Sequence, residues 1–223
     1  MNSPLLDCIE IETAPNPTHA VIWLHGLGAD GHDFASIVPE LRLQGAPPIR
    51  FVFPHAPVRP VTVNNGIAMR AWYDIYVMGS TQREDETGFR DSQRAIEALI
   101  ARENQRGIES QHIVLAGFSQ GCAMTLYTGP RLPQKLAGML GMSGYLPLAD
   151  RFDAERQPAN QDTPIFLAHG TQDPVVAIAR GQAAHAALKA AGYPVSWQTY
   201  EMPHSVCMEE IADIGKFLRQ VLV

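Results

Sequence analysis

The chain has few of the features that mark secreted, metal-binding or membrane-spanning proteins. Only three cysteines, Cys8, Cys122 and Cys207, occur in its 223 residues. Their odd number and wide spacing predict no disulfide framework, and no Cys-x-x-Cys or Cys/His spacing indicates a metal site. No apolar run reaches the roughly 18 residues that a membrane span needs, and residues 1–5 lack the basic and apolar regions of a signal peptide. We therefore expect a soluble, cytoplasmic protein with no metal and no transmembrane segment.

Positive charge is also sparse. The chain carries 17 basic and 23 acidic side chains, a net charge of −6, and no cluster of Lys or Arg stands out. This balance argues against nucleic acid as a partner and against attraction to an anionic membrane surface. Hydrophobic residues make up 46% and charged residues 18% of the chain, which is typical of globular proteins. The length fits one domain spanning residues 1–223.

Short apolar segments alternate with amphipathic ones along the chain. The predicted strands are 5–11, 20–24, 49–53, 113–116, 136–142, 164–168 and 195–200, and the predicted helices are 32–43, 89–104, 122–127, 178–191 and 207–223. Residues 57–80 show no regular pattern, and a loop of that length is usually functional, so it is a candidate wall of a substrate pocket. The alternation predicts an α/β fold with a mostly parallel central sheet flanked by helices.

The segment Gly117–Phe118–Ser119–Gln120–Gly121 lies between a predicted strand and a predicted helix. A strand, a tight turn with serine at its apex and a helix form the G-x-S-x-G nucleophile elbow. The glycines are explained by crowding at the sharp reversal, where a Cβ would collide with neighbouring main chain. The turn exposes the Ser119 hydroxyl and leaves the Gln120 N–H without an intrahelical partner.

A serine hydroxyl needs a base, and the base needs an orienting group. Asp173 follows the predicted strand 164–168, and His204 follows the strand 195–200. Both lie at the carboxyl ends of strands, where a parallel sheet presents its site, and the order Ser, Asp, His is that of α/β-hydrolases. Two other histidines near strand ends, His25 and His169, precede glycines and are interpreted as residues that shape loops.

The loop at residues 26–31 has the spacing G-x-G-x-x-G between a strand and a helix, which also marks dinucleotide sites. That motif requires an acidic residue about 20 positions further on, and no acid occurs between Arg42 and Tyr73. The loop is better explained as a second source of backbone donors. We expect the N–H groups of Leu27 and Gln120 to form a two-donor oxyanion hole.

Eight segments occur in an order that resembles the phospholipase/carboxylesterase family, which contains bacterial carboxylesterases and acyl-protein thioesterases. They are His25–Gly26–Leu27–Gly28–Ala29–Asp30–Gly31, Pro54–His55–Ala56–Pro57, Arg59–Pro60–Val61–Thr62, Ala71–Trp72–Tyr73–Asp74, Gly117–Phe118–Ser119–Gln120–Gly121, Ser143–Gly144–Tyr145, His169–Gly170–Thr171–Gln172–Asp173–Pro174–Val175–Val176 and the turn at His204. The segments span nearly the whole chain, so the resemblance is specific.

The resemblance implies an α/β-hydrolase fold without a separate cap domain and a serine carboxylesterase that forms an acyl-enzyme on Ser119. The expected substrates are short- to medium-chain carboxylic esters, and the alternatives with the same triad are acyl-protein thioesterase and lysophospholipase. The family's triad falls on Ser119, Asp173 and His204, and its oxyanion donors fall on the main chain of Leu27 and Gln120. No cofactor is implied.

The partners implied by the resemblance are a small ester or acyl-thioester substrate, or else an acylated protein or a lysophospholipid. The loop from Ile75 to Met78 would border the acyl groove, and we take Trp72, Ile75, Val77 and Val175 as substrate-binding candidates. Apolar residues of that loop could support a homodimer, and the oligomeric state is left open. Two other classes remain for comparison: a non-catalytic binding module, which would need a broken triad, and a dinucleotide-binding protein.

Overall fold

The computed structural model describes residues 5–77 and 83–223. Met78, which was expected to border the acyl groove, lies outside them, as does the end of the segment 57–80. The strands are β1 (Cys8–Glu12), β2 (His19–Leu24), β3 (Ile49–Pro54), β4 (Val58–Val61), β5 (Ile67–Arg70), β6 (Ile113–Phe118), β7 (Gly138–Met142), β8 (Ile165–Gly170) and β9 (Val195–Tyr200). The α-helices are α1 (Glu86–Gln105), α2 (Gln120–Thr128), α3 (Phe152–Glu155), α4 (Ile178–Ala190) and α5 (Met208–Val221).

Seven of these strands form the central sheet, in the order β1-β3-β2-β6-β7-β8-β9. The edge strand β1 is antiparallel to β3, and every other neighbouring pair in this sheet is parallel. The predicted α/β fold with a mostly parallel sheet is therefore confirmed. The strand order changes direction between β2 and β6, which opens a crevice at the carboxyl ends of these two strands.

Hydrophobic cores lie on both faces of the sheet, because its inner strands are buried on both sides. Along β2, Ile22 and Leu24 face a core that includes residues of α1, α2 and α4, whereas Val21 and Trp23 face a core that includes residues of α5. Side chains alternate between the faces of a strand, so a continuous apolar run is needed when both faces are covered.

The predicted helix at residues 32–43 is wrong in type and length. The structure has a 3₁₀ helix at Ala35–Leu41, with Pro39 inside it and Arg42 in the left-handed region, at φ 49°, directly after it. Proline has no N–H, and in an α-helix its ring would meet the carbonyl four residues earlier, here that of Ala35. The apolar spacing was correct in placing this segment against the sheet, since Val38 and Leu41 are buried.

The segment 57–80, predicted to be irregular, contains the hairpin β4–β5. A short 3₁₀ turn at Thr62–Asn64 joins its strands, and both Asn65 and Gly66 have positive φ, 56° and 74°. Asn-Gly is a strong turn signal between two short strands, so the sequence carried a local signal for this hairpin. The other predicted elements are present, most of them with shifted ends. The strand 136–142 begins at Gly138, whereas the strand 195–200 has the predicted bounds.

None of the helices within the described residues is long and apolar enough to cross a membrane.

Candidate active site

The nucleophile elbow forms as the sequence predicts. Ser119 lies between β6 and α2 with φ 56° and ψ −114°, a backbone conformation that costs a non-glycine residue about 1–3 kcal/mol. A Cβ built on Gly117 would lie 2.2 Å from the backbone of Gly121, and one built on Gly121 would lie 2.1 Å from the carbonyl oxygen of Leu24. Glycine at both positions allows β6, α2 and β2 to approach this closely, and the turn holds the Ser119 side chain above the sheet.

Ser119, His204 and Asp173 meet at the carboxyl edge of the sheet. The Oγ of Ser119 lies 2.9 Å from Nε2 of His204, and Nδ1 of His204 lies 2.6 Å from Oδ2 of Asp173. The imidazole is 15% exposed and the Asp173 carboxylate is fully buried. With Nδ1 donating to the carboxylate, the lone pair on Nε2 faces the serine hydroxyl, which is the arrangement a general base needs.

The loop after β8 holds Asp173 in place. Its second carboxylate oxygen, Oδ1, accepts hydrogen bonds from the backbone N–H groups of Val175 and Val176 at 2.8 and 2.9 Å. His169 supports the same loop, since its Nε2 lies 2.8 Å from the carbonyl oxygen of Val176 and 3.4 Å from Oδ2 of Asp173. Burial lowers the pKa of His169, so a neutral ring donates from Nε2. The interpretation of His169 as a loop-shaping residue agrees with these contacts.

Two backbone N–H groups are available next to Ser119. The N–H of Leu27 donates to no backbone acceptor within the described residues, and that of Gln120 begins α2, where no intrahelical acceptor exists. Both residues line the cavity that contains Ser119. The side chain of Gln120 has a further role that the sequence did not reveal: its Oε1 accepts from the N–H of Trp72, and its Nε2 donates to the carbonyl of Tyr73, both at 3.0 Å.

His25 fixes the start of the glycine-rich loop. Its Nε2 accepts from the N–H of Ala56 at 3.0 Å, so Nδ1 carries the proton and donates to the carbonyl of Gly26 at 2.7 Å. Burial lowers the pKa of His25 and keeps the ring in this neutral form. The carbonyl of His25 accepts from Nε1 of Trp72 at 2.9 Å. Together these bonds position the peptide that leads to Leu27.

A cavity opens beside Ser119. Of the predicted substrate-binding residues, Ile75, Val77 and Val175 line it. Trp72 is not among the described residues that line it; this side chain is fully buried and hydrogen-bonded behind the glycine-rich loop, so its assignment to the substrate pocket is corrected. A tryptophan beside a motif is as readily a packing residue as a pocket residue, and only the structure distinguishes the two.

Four further residues line the cavity and were not singled out as substrate-binding candidates: Tyr73, Tyr145, Val176 and Arg180. Tyr73 and Tyr145 belong to the family motifs, which offered a signal. Arg180 lies in an alanine-rich helix, and nothing in the sequence indicates that it reaches the site.

The cysteine that follows the elbow offers no second nucleophile. Cys122 is buried, and burial raises its pKa to about 12, so it stays a thiol. Within residues 5–77 and 83–223, no three His, Cys, Asp or Glu side chains are grouped as ligands of a metal ion would be.

Residues 6–222 of this chain match the Phospholipase/Carboxylesterase family. Acyl-protein thioesterase 1 of Neurospora crassa is 44% identical over 215 residues, covering 92% of this chain and 87% of the relative. Acyl-protein thioesterase 1 of Gibberella zeae is 39% identical over 231 residues, covering 100% of this chain and 98% of the relative.

Solved structures agree. The crystal structure of Zea mays acyl-protein thioesterase 2 superposes with a TM-score of 0.81 at 28% identity, covering 96% of this chain and 99% of that one. Arabidopsis thaliana SOBER1 superposes with a TM-score of 0.85 at 30% identity, covering 92% of this chain and 99% of that one. This chain therefore belongs to the phospholipase/carboxylesterase family of α/β-hydrolases and is a serine hydrolase.

Proposed function

We propose that the protein hydrolyses the thioester that joins an acyl chain to a cysteine of another protein. The observation that carries the proposal is the pair of hydrogen bonds from Ser119 to His204 and from His204 to Asp173, next to an open cavity. The sequence first led us to expect a serine carboxylesterase, which is a coarser description of the same acyl-transfer chemistry. The relatives that are named acyl-protein thioesterases favour the thioester.

In the first half of the reaction, His204 Nε2 takes the proton of the Ser119 hydroxyl as Oγ attacks the thioester carbonyl. The carbonyl oxygen becomes an oxyanion, which the N–H groups of Leu27 and Gln120 stabilise; losing one such donor typically costs about 3 kcal/mol. Asp173 stabilises the imidazolium and keeps its orientation. The tetrahedral intermediate then breaks its C–S bond, the thiolate takes the proton from Nε2, and an ester on Ser119 remains.

In the second half, water replaces the thiol. His204 removes a proton from the water as its oxygen attacks the acyl carbon, and the same two N–H groups stabilise the second oxyanion. The C–O bond to Ser119 breaks, Oγ recovers the proton from Nε2, and the carboxylic acid leaves. Every atom and proton of the cycle comes from the thioester, the water and the three side chains.

The surroundings of Ser119 suit a large substrate that carries an acyl chain. Val77 and Val175 line the cavity and are 62% and 44% exposed, so its mouth has an apolar rim. Exposed apolar side chains at a cavity mouth are typical of sites that bind apolar ligands. His204 is partly open to solvent, which leaves room for a bulky leaving group on its side. A lysophospholipid or a small ester would use the same groups.

The test is a thiol-release assay with a peptide that carries one S-acylated cysteine. We expect Ser119→Ala to abolish release with little change in thermal stability, because Oγ is the nucleophile and contributes little to packing. A fluorophosphonate probe should label the wild type and not this variant. Ser36→Ala, a substitution at an exposed position, is the matched control and should retain full activity.

Two results would contradict the proposal. Release that persists in Ser119→Ala would exclude Ser119 as the nucleophile. Hydrolysis of p-nitrophenyl esters without any release from the S-acyl peptide would restrict the activity to the carboxylesterase first expected.

A further inference from the structure

Arg180 is the only charged side chain among the described residues that line the cavity beside Ser119. The other side chains there are aliphatic, phenolic, hydroxyl or amide groups. It is the third residue of α4 and is partly buried. Its guanidinium lies over the ring of Tyr145, 3.5 Å from the centroid. Stacking on an aromatic ring fixes the plane of an arginine and leaves its N–H groups to bind a ligand.

Arg180 forms no ion pair with a carboxylate of the described residues. Within residues 5–77 and 83–223, no Asp or Glu oxygen lies within 4.0 Å of its guanidinium, and residues 1–4 and 78–82 contain no acidic residue. Glu84 lies near enough to interact electrostatically with Arg180: burial raises the pKa of Glu84, and the positive charge of Arg180 partly offsets this rise. The first turn of α4 contains no acidic residue either, so the positive end of the helix dipole adds to the field.

Two phenols extend this polar end of the cavity. The hydroxyl groups of Tyr73 and Tyr145 lie 2.9 Å apart, so one donates to the other and the second O–H remains available. Burial raises the pKa of both tyrosines, so both stay protonated at neutral pH. The guanidinium N–H groups and the free phenol O–H thus offer donors to a group that enters this end. A carboxylate fits such donors better than a methyl group does.

The cavity lies on the acyl side of the nucleophile. The leaving group must stay within reach of His204 Nε2, which gives it a proton, and His204 is not among the described residues that line the cavity. The acyl chain is the remaining part of the substrate that can extend into it. A phosphate in the alcohol part of a lysophospholipid would lie on the opposite side.

We propose that Arg180 is a specificity-determining residue that adapts the acyl pocket to chains ending in a carboxylate. This inference rests on the proposed thioester hydrolysis and defines its acyl substrate: a short apolar chain along Ile75, Val77 and Val176, with its terminal carboxylate on Arg180. The carboxylate and guanidinium form a charge-assisted, bidentate pair. The chemistry at Ser119 is unchanged.

The test compares two thioesters of N-acetylcysteamine that share six acyl carbons, hexanoyl and adipoyl. The leaving group is neutral and identical in both, so the ratio of their kcat/KM values reports the terminal carboxylate alone. We expect Arg180→Met to lower the adipoyl-to-hexanoyl ratio by about ten- to a hundredfold, as expected for loss of a hydrogen bond to a charged group. Hexanoyl turnover should stay within a few-fold of the wild type.

Three further variants make the test specific. Arg180→Lys keeps the charge without the planar fork, so its ratio should fall between those of the wild type and Arg180→Met. Arg180→Glu should favour the thioester of 6-aminohexanoic acid over the adipoyl thioester. Arg94→Met removes the same charge from an exposed position on α1 and should leave the ratio unchanged, which excludes an effect of net charge.

Binding to inactive protein separates this inference from the proposed reaction. In titrations of Ser119→Ala, the adipoyl thioester should bind at least tenfold more weakly when Arg180→Met is added, and the hexanoyl thioester should not. An unchanged ratio in Arg180→Met, or a wild type that cleaves hexanoyl but not adipoyl thioester, overturns the role of Arg180. Absence of thiol release from both thioesters, with the binding difference retained, instead overturns the proposed reaction.

Discussion

Ser119 has a strained backbone conformation that two backbone hydrogen bonds hold in place. Its N–H donates to the carbonyl of Met142 at 2.9 Å, and its own carbonyl accepts from the N–H of Ala123 at 3.1 Å. These bonds hold the positive φ that lifts Oγ toward His204. Strain of this kind persists only when the surroundings specify it. The strained backbone of Ser119 lowers the stability of the fold, but it directs the Ser119 hydroxyl and the Gln120 N–H toward the same side of the elbow.

The Asp173 carboxylate sets the tautomer of His204, and Asp173→Asn tests this directly. The asparagine oxygen can still accept from Val175 and Val176, but its NH₂ group would face Nδ1 of His204. That contact favours a proton on Nε2, so the ring could no longer accept the proton of Ser119. We expect kcat to fall by about 10⁴-fold, as in other triads, with a melting temperature near that of the wild type. A loss below tenfold would show that Asp173 does not orient the base.

At the scale of elements, the elbow depends on how closely α2 approaches β2. In Gly121→Ala the new Cβ would lie 2.1 Å from the carbonyl oxygen of Leu24, so α2 must move away from the sheet. We expect a loss of about 1–3 kcal/mol in the free energy of unfolding, measured in urea. A drop in kcat should accompany it, because the Gln120 N–H moves with the helix.

Gly26→Ala is the matched control for stability. Its Cβ would lie 3.4 Å from the side chains of Phe118 and Ser119, which is ordinary contact distance. We therefore expect a change in unfolding free energy well below that of Gly121→Ala. Equal losses in the two variants would show that backbone crowding is not what glycine relieves at position 121.

The sequence predicted well those elements whose structure follows from the pattern of neighbouring residues. The apolar run at β2 is buried on both faces, and the triad residues follow strands, so pattern and chain order were sufficient. Pro39 changed the type of the helix at Ala35–Leu41 because a single residue altered its hydrogen bonding. Trp72 was wrongly assigned to the pocket and Arg180 was not singled out, because which residues line the cavity depends on where side chains point after packing.

At the scale of the whole molecule, one sheet contributes side chains to both hydrophobic cores, and we infer that residues 1–223 act as one domain.

Two buried glutamates of this domain have different surroundings. Glu103 on α1 is fully buried and forms ion pairs with Arg50, Arg102 and Arg106 at 2.8–3.0 Å, which connects the helix to β3. Glu210 on α5 is also fully buried, but neither of its carboxylate oxygens has a well-formed hydrogen bond within the described residues.

Burial raises the pKa of Glu210 to about 8, and the backbone N–H of Cys207 offsets this only in part. In the unfolded chain the group has an ordinary pKa near 4.5. Between these values the unfolded chain releases a proton that the folded chain retains, so this group lowers the free energy of unfolding as pH rises. The effect is absent below the unfolded pKa, where both states are protonated.

Glu210→Gln should remove this dependence, since the amide has a similar shape and does not ionise. We expect the variant to be more stable than the wild type by on the order of 3 kcal/mol at pH 7, and by little at pH 4.5, in urea unfolding at each pH. Glu209→Gln, next to it on the exposed side of α5, should show no such gain. A difference between Glu210→Gln and wild type that stays constant from pH 4.5 to 8 would mean that the carboxyl of Glu210 does not hold its proton in the folded protein.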